Sequence, residues 1–181
     1  MDIKNTKFIS LGKTLIDKDK FRPVENAKFM NKPLYGFWGS PITSENPLSS
    51  PWIEWCLDSG WGDSEYISNS VIFTLKPNAK IFTLDKYTSL SQIPSKYLTT
   101  DPLGTVTLDT PHSDLLIPEE FRLWIDYEAL AKDHDGIYIS DNDVYRFFHS
   151  LYGWDCASIL LFNLDCIKSH EYRELPIYEE E

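Results

Sequence analysis

Two β-forming runs meet head to tail in "SVIFTLKPNAKIFTLD", residues 70–85. Each run is built of β-branched, aromatic and aliphatic residues, which fit a pleated, half-buried surface. Between them "KPNA" carries turn chemistry: proline presets φ, and asparagine tolerates left-handed backbone. The segment predicts either a hairpin or two strands joined at a corner. Either way it commits the first half of the chain to sheet. "KFISLGK" (7–13) reads as an earlier short strand, and "LYGFWGS" (34–40) as another that ends at Pro41. Residues 14–31 between them are mixed and polar, and predict a loop with a helical turn.

Helical signals are confined to a few places. Ser50 is positioned to cap a helix whose first residue is Pro51, where a missing N–H costs nothing. Trp52, Trp55 and Cys56 then fall on one face, and Gly60 can close the helix. Residues 88–118 hold four prolines and many Ser and Thr, and predict a long loop excursion. "IDYEALAKDHDGIYIS" (125–140) reads as a helix capped by Asp126 that runs into a strand from about Asp135. "SDNDVYRFFHSLYGW" (140–154) reads as a second helix, with Asp141 at its cap, Val144, Phe147, Phe148 and Leu151 on one face, and Gly153 at its end. "DCASILLFN" (155–163) is then a buried strand, and the tail from about His170 is expected to be poorly ordered or bound at an edge. The sum is α+β, with helices packed on small mixed sheets.

The length, 181 residues, suits one domain with a core of ordinary size, ending in an acidic tail over 169–181. The net charge of −11 repels a phosphate backbone and disfavours plain nucleic-acid binding. The lysines nonetheless crowd toward the start, at Lys4, Lys7, Lys13, Lys18, Lys20, Lys28 and Lys32. Three cysteines, Cys56, Cys156 and Cys166, without CxxC spacing suit neither a disulfide framework nor a zinc site. No stretch has the apolar length of a membrane span, and "MDIKNTKF" lacks the hydrophobic region of a signal peptide, so a cytoplasmic protein is expected.

Most chemical motifs are missing. No histidine pair among His112, His134, His149 and His170 has helical zinc spacing, and no metal is expected. Neither GxxxxGK[ST], GxGxxG nor GxSxG occurs. "GWGDS" (60–64) reads as a turn and "DHDG" (133–136) as a solvated helix end. The aromatic stretch "KPLYGFWGSP" (32–41) remains. On a strand, Tyr35, Phe37 and Gly39 share one face, while Gly36, Trp38 and Ser40 share the other. The first set suits a core. The second offers close backbone approach, a flat ring and a hydroxyl; the plainer alternative is a tryptophan packed under a helix with Ser40 capping a turn.

In the order "KFISLGK … KPLYGFWGSP … SPWIEWC … VIFTLKPNAKIFTLD … HDGIYIS … GWDCASILLFNLDCIKS", residues 7–168 resemble ADP-ribosyltransferase-fold proteins. The likeness is greatest to small bacterial and phage members with a "KPxGGLWxSP … WxxWC" signature. The resemblance implies a split pair of small mixed sheets with flanking helices and NAD, as substrate, in the cleft between the sheets. It puts Ser10 or its neighbour Leu11 where the family's first strand offers His or Arg to NAD. Gly36, Trp38 and Ser40 stand in the aromatic–Ser strand, and the acidic position falls near Asp155 or Ser158. The sequence departs from the pattern twice: "FISLG" has no His, and Ser158 occupies the place of a Glu before "ILLF".

What the resemblance implies is transfer of ADP-ribose from NAD to a macromolecule. Tyr35 or Trp38 would stack on nicotinamide, Ser40 would hydrogen-bond ribose, and Asp155 would face the cation that develops as the glycosidic bond breaks. The acceptor is a protein or a nucleic acid, and the acidity leans toward protein. Two other functions fit the same residues. One is a binding module that holds a nucleotide without cleaving it. The other is an acidic interaction protein, such as a phage or mobile-element inhibitor of a host defence enzyme, that occupies a basic surface.

Overall fold

In the computed structural model, which describes residues 2–85, 90–100, 123–140, 151 and 153–176, the two runs around "KPNA" do not pair with each other. Strand β3 (Asn69–Leu75) lies antiparallel to β1 (Phe8–Leu11) and to β9 (Ile167–Glu174). Strand β4 (Ile81–Leu84) runs parallel to β7 (Gly136–Ile139). The corner alternative therefore holds. Ala79 N–H donates to the Lys76 carbonyl at 3.0 Å, and Lys76 N–H to that of Cys166 at 2.8 Å. A parallel partner is out of reach of a tight turn, so β4 meets β7 only after a long crossover.

The fold is α+β. Among the described residues, seven strands form one sheet in the order β4-β7-β8-β2-β1-β3-β9, where β2 is Phe37–Pro41 and β8 is Ser158–Leu161. A separate pair joins β5 (Leu98–Thr100) to β6 (Leu123–Ile125). The helices are short: α1 (Pro51–Ser59), α2 (Ser64–Ser68) and α3 (Tyr127–Leu130). One large sheet replaces the small mixed sheets expected from the sequence.

Its centre is apolar on both faces. Every residue of β7 and β8 is buried, as expected for strands covered on two sides. Ile137, Ile139 and Leu160 pack with Leu84, Tyr127, Leu130 and Trp154. Tyr138, Ile159 and Leu161 pack with Phe8, Phe37 and Phe73. Ile9, Leu11 and Ile72 pack beneath α1 and α2 on Ile53, Cys56 and Ile67. Strand β1 thus serves two cores through alternate side chains. At the other end β9 is exposed along nearly its whole length, with Lys168, Glu171, Arg173 and Glu174 blunting the free edge. The edge-bound alternative for the tail holds for residues up to Glu174.

Several boundaries differ from expectation. Strand β2 begins at Phe37, not Leu34, because Tyr35 (φ 61°) and Gly36 (φ 74°) are both left-handed. Those angles break the pleat. Residues 14–31 contain no helix but one i→i+3 turn, where Phe21 N–H donates to the Lys18 carbonyl at 3.3 Å; Val24 plugs the core and Glu25 bridges to Leu34. The helix after Asp126 is a single turn, whose third N–H, that of Ala129, is accepted by the Asp126 carboxylate at 2.9 Å. The loop excursion opens with 3₁₀ turns at Leu90–Gln92 and Ser95–Tyr97. Its continuation at 101–122 and most of the expected helix over 140–154 lie outside the described residues. Among the described residues no helix is long and apolar enough to cross a membrane.

Candidate functional site

The weakest seam of the sheet lies between β1 and β2. They pair only at Phe8↔Pro41 and Ile9↔Ser40. Continued register would set Ser10 opposite Gly39 and Leu11 opposite Trp38. Instead Phe37, Trp38 and Gly39 pair with Leu161, Leu160 and Ile159 of β8, while Ser10 and Leu11 pair only with β3. The ladder stops, and a cavity of about 310 Å³ fills the fork. That is the lower end of small-molecule pocket volumes.

Four parts of the chain line it. Strand β1 and its following turn contribute Ser10, Leu11, Gly12 and Lys13. The approach to β2 contributes Lys32, Gly36, Trp38 and Gly39. Helices α1 and α2 contribute Trp52 and Tyr66, and the entry to β8 contributes Gly153, Asp155 and Ser158. Gly12 matters here. Its φ is +68°, and a Cβ on it would lie 2.5 Å from the Tyr66 ring. The ring rests against bare backbone, and any side chain at position 12 would push it away.

Of the residues singled out from sequence, Ser10, Leu11, Gly36, Trp38, Asp155 and Ser158 meet at this cavity. Two do not. The Tyr35 ring is covered by the Arg22 guanidinium, 3.4 Å from its centroid. Ser40 is buried, donates to the Ala157 carbonyl at 2.9 Å and accepts from Trp52 N–H at 3.2 Å. Its hydroxyl ties β2 to the start of α1 and to the entry of β8. It positions the walls of the fork without lining it.

The Trp38 ring is held on one side by Trp154, at 4.7 Å between centroids, and its indole N–H donates to the Tyr35 carbonyl at 3.0 Å. The Lys32 ammonium stands 5.2 Å from the Trp38 ring centroid. Lys32 makes no ion pair within 4 Å among the described residues. Its pKa is lowered by burial, partly offset by the charges of Asp155 and Cys156. Asp155 itself is exposed at the cavity mouth. The Ser158 hydroxyl donates to the Cys156 carbonyl at 3.1 Å, while that of Ser10 makes no hydrogen bond among the described residues. Burial raises the pKa of Tyr66, partly offset by a hydrogen bond with Trp52.

The arrangement pairs a flat ring and two lysines with one carboxylate at the mouth. It can hold a planar group bearing negative charge and set a carboxylate beside it. Cys56 and Cys166 offer no thiolate: both are buried, and burial first of all pushes Cys56 to about 11 and Cys166 to about 12. Among the described residues no cluster of His, Cys, Asp and Glu could hold a metal.

Sequence reasoning missed Lys13, Lys32, Trp52 and Tyr66 as members of the site. The crowding of lysines near the start was a signal for the first two, and the aromatic face of α1 for the third. Nothing in the local sequence marks Tyr66, which arrives through the turn after α1. Compared with protein-family models, with curated proteins and with solved structures, the chain matches none.

Proposed function

We propose that this chain transfers ADP-ribose from NAD to a macromolecular acceptor, using the fork between β1 and β2 as the nucleotide site. The observation that carries the reading is convergence. The first strand, the aromatic strand and the acidic entry to the last central strand, named together by the resemblance, line one cavity although about 150 residues separate the first from the last.

Each wall then has a task. The Trp38 face receives nicotinamide, and Lys13 and Lys32 balance diphosphate charge. As the nicotinamide–ribose bond breaks, its electron pair leaves with nicotinamide. The Asp155 carboxylate faces the oxocarbenium-like sugar, and an acceptor nucleophile then bonds to the anomeric carbon and loses its proton. Ser40 acts only by holding the walls. At about 310 Å³ the cavity takes one half of the dinucleotide and leaves the other in the open mouth.

The test follows nicotinamide release and transfer of label from NAD labelled in its adenylate half. Asp155→Asn is expected to lower turnover by about a hundredfold or more and to change NAD binding by less than about threefold. NAD that neither binds nor turns over would overturn the reading. A second reading, a nucleotide-binding module without turnover, is favoured by Ser10 and Ser158 in place of His and Glu. It predicts NAD binding that Lys32→Met weakens, with no nicotinamide released by parent or variant.

A further inference from the structure

The aromatic wall of the cavity continues outward to solvent. Trp52, which lines the cavity, stacks on Trp55 with centroids 4.9 Å apart and planes within 8° of parallel. Trp61, just beyond the left-handed Gly60 that ends α1, closes on these rings at 5.2 and 6.2 Å. Tyr66 meets Trp61 edge-on at 5.0 Å. The cluster is not sealed: Trp61 is 46% exposed. An aromatic cluster with one ring open to solvent presents an apolar body and flat faces on which a partner can stack.

The charge carried by this part of the chain itself is of one sign. From residue 33 to 75 the chain has no Lys, Arg or His, yet carries Glu45, Glu54, Asp58, Asp63 and Glu65. Glu54 and Asp58 lie on α1 and Glu65 on α2; all three are exposed and make no ion pair among the described residues. Asp63 caps α2 by accepting from Tyr66 N–H at 2.7 Å. Indole faces are electron-rich, so the patch is negative both by quadrupole and by formal charge.

We infer that this surface docks a positively charged segment of a protein partner, with an arginine side chain against the indoles and its guanidinium within reach of the α1 carboxylates. Arginine fits better than lysine because it is planar, stacks on rings and sheds its water more readily. A nucleic acid would find rings to stack on, but would bring phosphates against an acidic rim on a chain of net charge −11. Lys13 and Lys32 line the cavity, on the other side of Trp52 and Tyr66. An anionic small ligand and a cationic protein segment would therefore sit side by side across those two residues. The inference goes beyond transfer chemistry and does not depend on it, since the docking is read without NAD.

The experiment measures anisotropy of fluorescently labelled short peptides of alternating arginine and glycine, or lysine and glycine, and of a labelled oligothymidine, against the full chain. The arginine peptide is expected to bind about threefold or more tighter than the lysine peptide, and more weakly as salt rises. Trp61→Leu, which keeps an apolar side chain but removes the π face, is expected to weaken it by about three- to tenfold. The pair Glu54→Gln with Asp58→Asn should weaken it at least as much. The charge-matched pair Asp19→Asn with Glu25→Gln, away from the patch, should leave it within about twofold. Should Trp61→Leu fail to fold by circular dichroism, the two charge pairs decide. Equal losses from both pairs would reduce the binding to general acidity and overturn the inference. So would indifference to Trp61→Leu in a folded protein, or oligothymidine binding that Trp61→Leu removes.

Discussion

Two groups of tryptophans flank the same cavity and are held in opposite ways. Trp154 is 1% exposed. Its indole N–H donates to the Tyr127 hydroxyl at 3.0 Å, which in turn donates to the Asn31 carbonyl at 3.0 Å. The Asn31 side-chain oxygen accepts from Ile125 N–H at 3.0 Å, so one buried relay joins β6, α3, the approach to β2 and the entry to β8. Trp52 and Trp55 on α1 pack partly on the core beneath the helix and stack with Trp61 just beyond it, and the last of these rings is half open to water. The difference teaches what confines a large ring. Burial needs a partner for the N–H as well as apolar volume, and Trp154 has both.

Replacing one ring from each group should separate them most strongly. Trp154→Ala removes the largest fully buried side chain among the described residues and is expected to cost about 3–5 kcal/mol in urea unfolding. Trp61→Ala is expected to cost less than about 1 kcal/mol, since its ring is already half solvated. Comparable losses at the two positions would erase the distinction. The relay is the next target. Tyr127→Phe keeps the ring but deletes both hydrogen bonds of its hydroxyl, for an expected loss of about 1–3 kcal/mol. A loss near zero would mean that apolar volume alone confines Trp154.

Lys32 sharpens the comparison through pH. Burial holds its pKa below the ordinary 10.5. Between the folded value and 10.5 the unfolded chain therefore binds more protons, and stability rises with pH across that window. Below the window the lysine is charged in both states and its desolvation penalty is fully present. Lys32→Met should accordingly raise stability most at neutral pH and flatten the rise on the alkaline side. The check is the unfolding midpoint of parent and variant across pH; parallel curves would show that burial imposes no penalty there.

Elements set by local chemistry were legible in the sequence, and those set by distant partners were not. The apolar runs of β1, β3, β7 and β8 and the αL stop at Gly60 follow from side-chain type and glycine placement. That β4 pairs parallel to β7 while β3 turns to β1 and β9 depends on contacts far along the chain, which "KPNA" does not encode. The sequence starts strand β2 three residues too early because a left-handed tyrosine before a left-handed glycine has no pattern in hydrophobicity. Trp38 and Asp155, singled out because their residue types carry chemistry, both line the cavity. Ser40 looked like a ligand group because the sequence cannot reveal that Ala157 and Trp52 already engage its hydroxyl.

The finest contrast is between the starts of the two helices that carry the outer aromatic cluster. Ser50 precedes Pro51 as a capping serine should, yet its hydroxyl makes no capping bond and is buried without a partner. The α1 start relies on Pro51, which has no N–H to satisfy, and on the Ser40 hydroxyl, which accepts from Trp52 N–H at 3.2 Å. Asp63, by contrast, accepts from Tyr66 N–H at 2.7 Å and fastens the ring that lies against Gly12. Asp63→Ala should therefore cost about 1 kcal/mol. Ser50→Ala should cost nothing or stabilise slightly, because it removes a buried hydroxyl whose desolvation no bond offsets. Urea unfolding of the two single variants checks the pair. Equal costs near 1 kcal/mol would mean that the Ser50 hydroxyl is satisfied in solution, and that the two helices start alike.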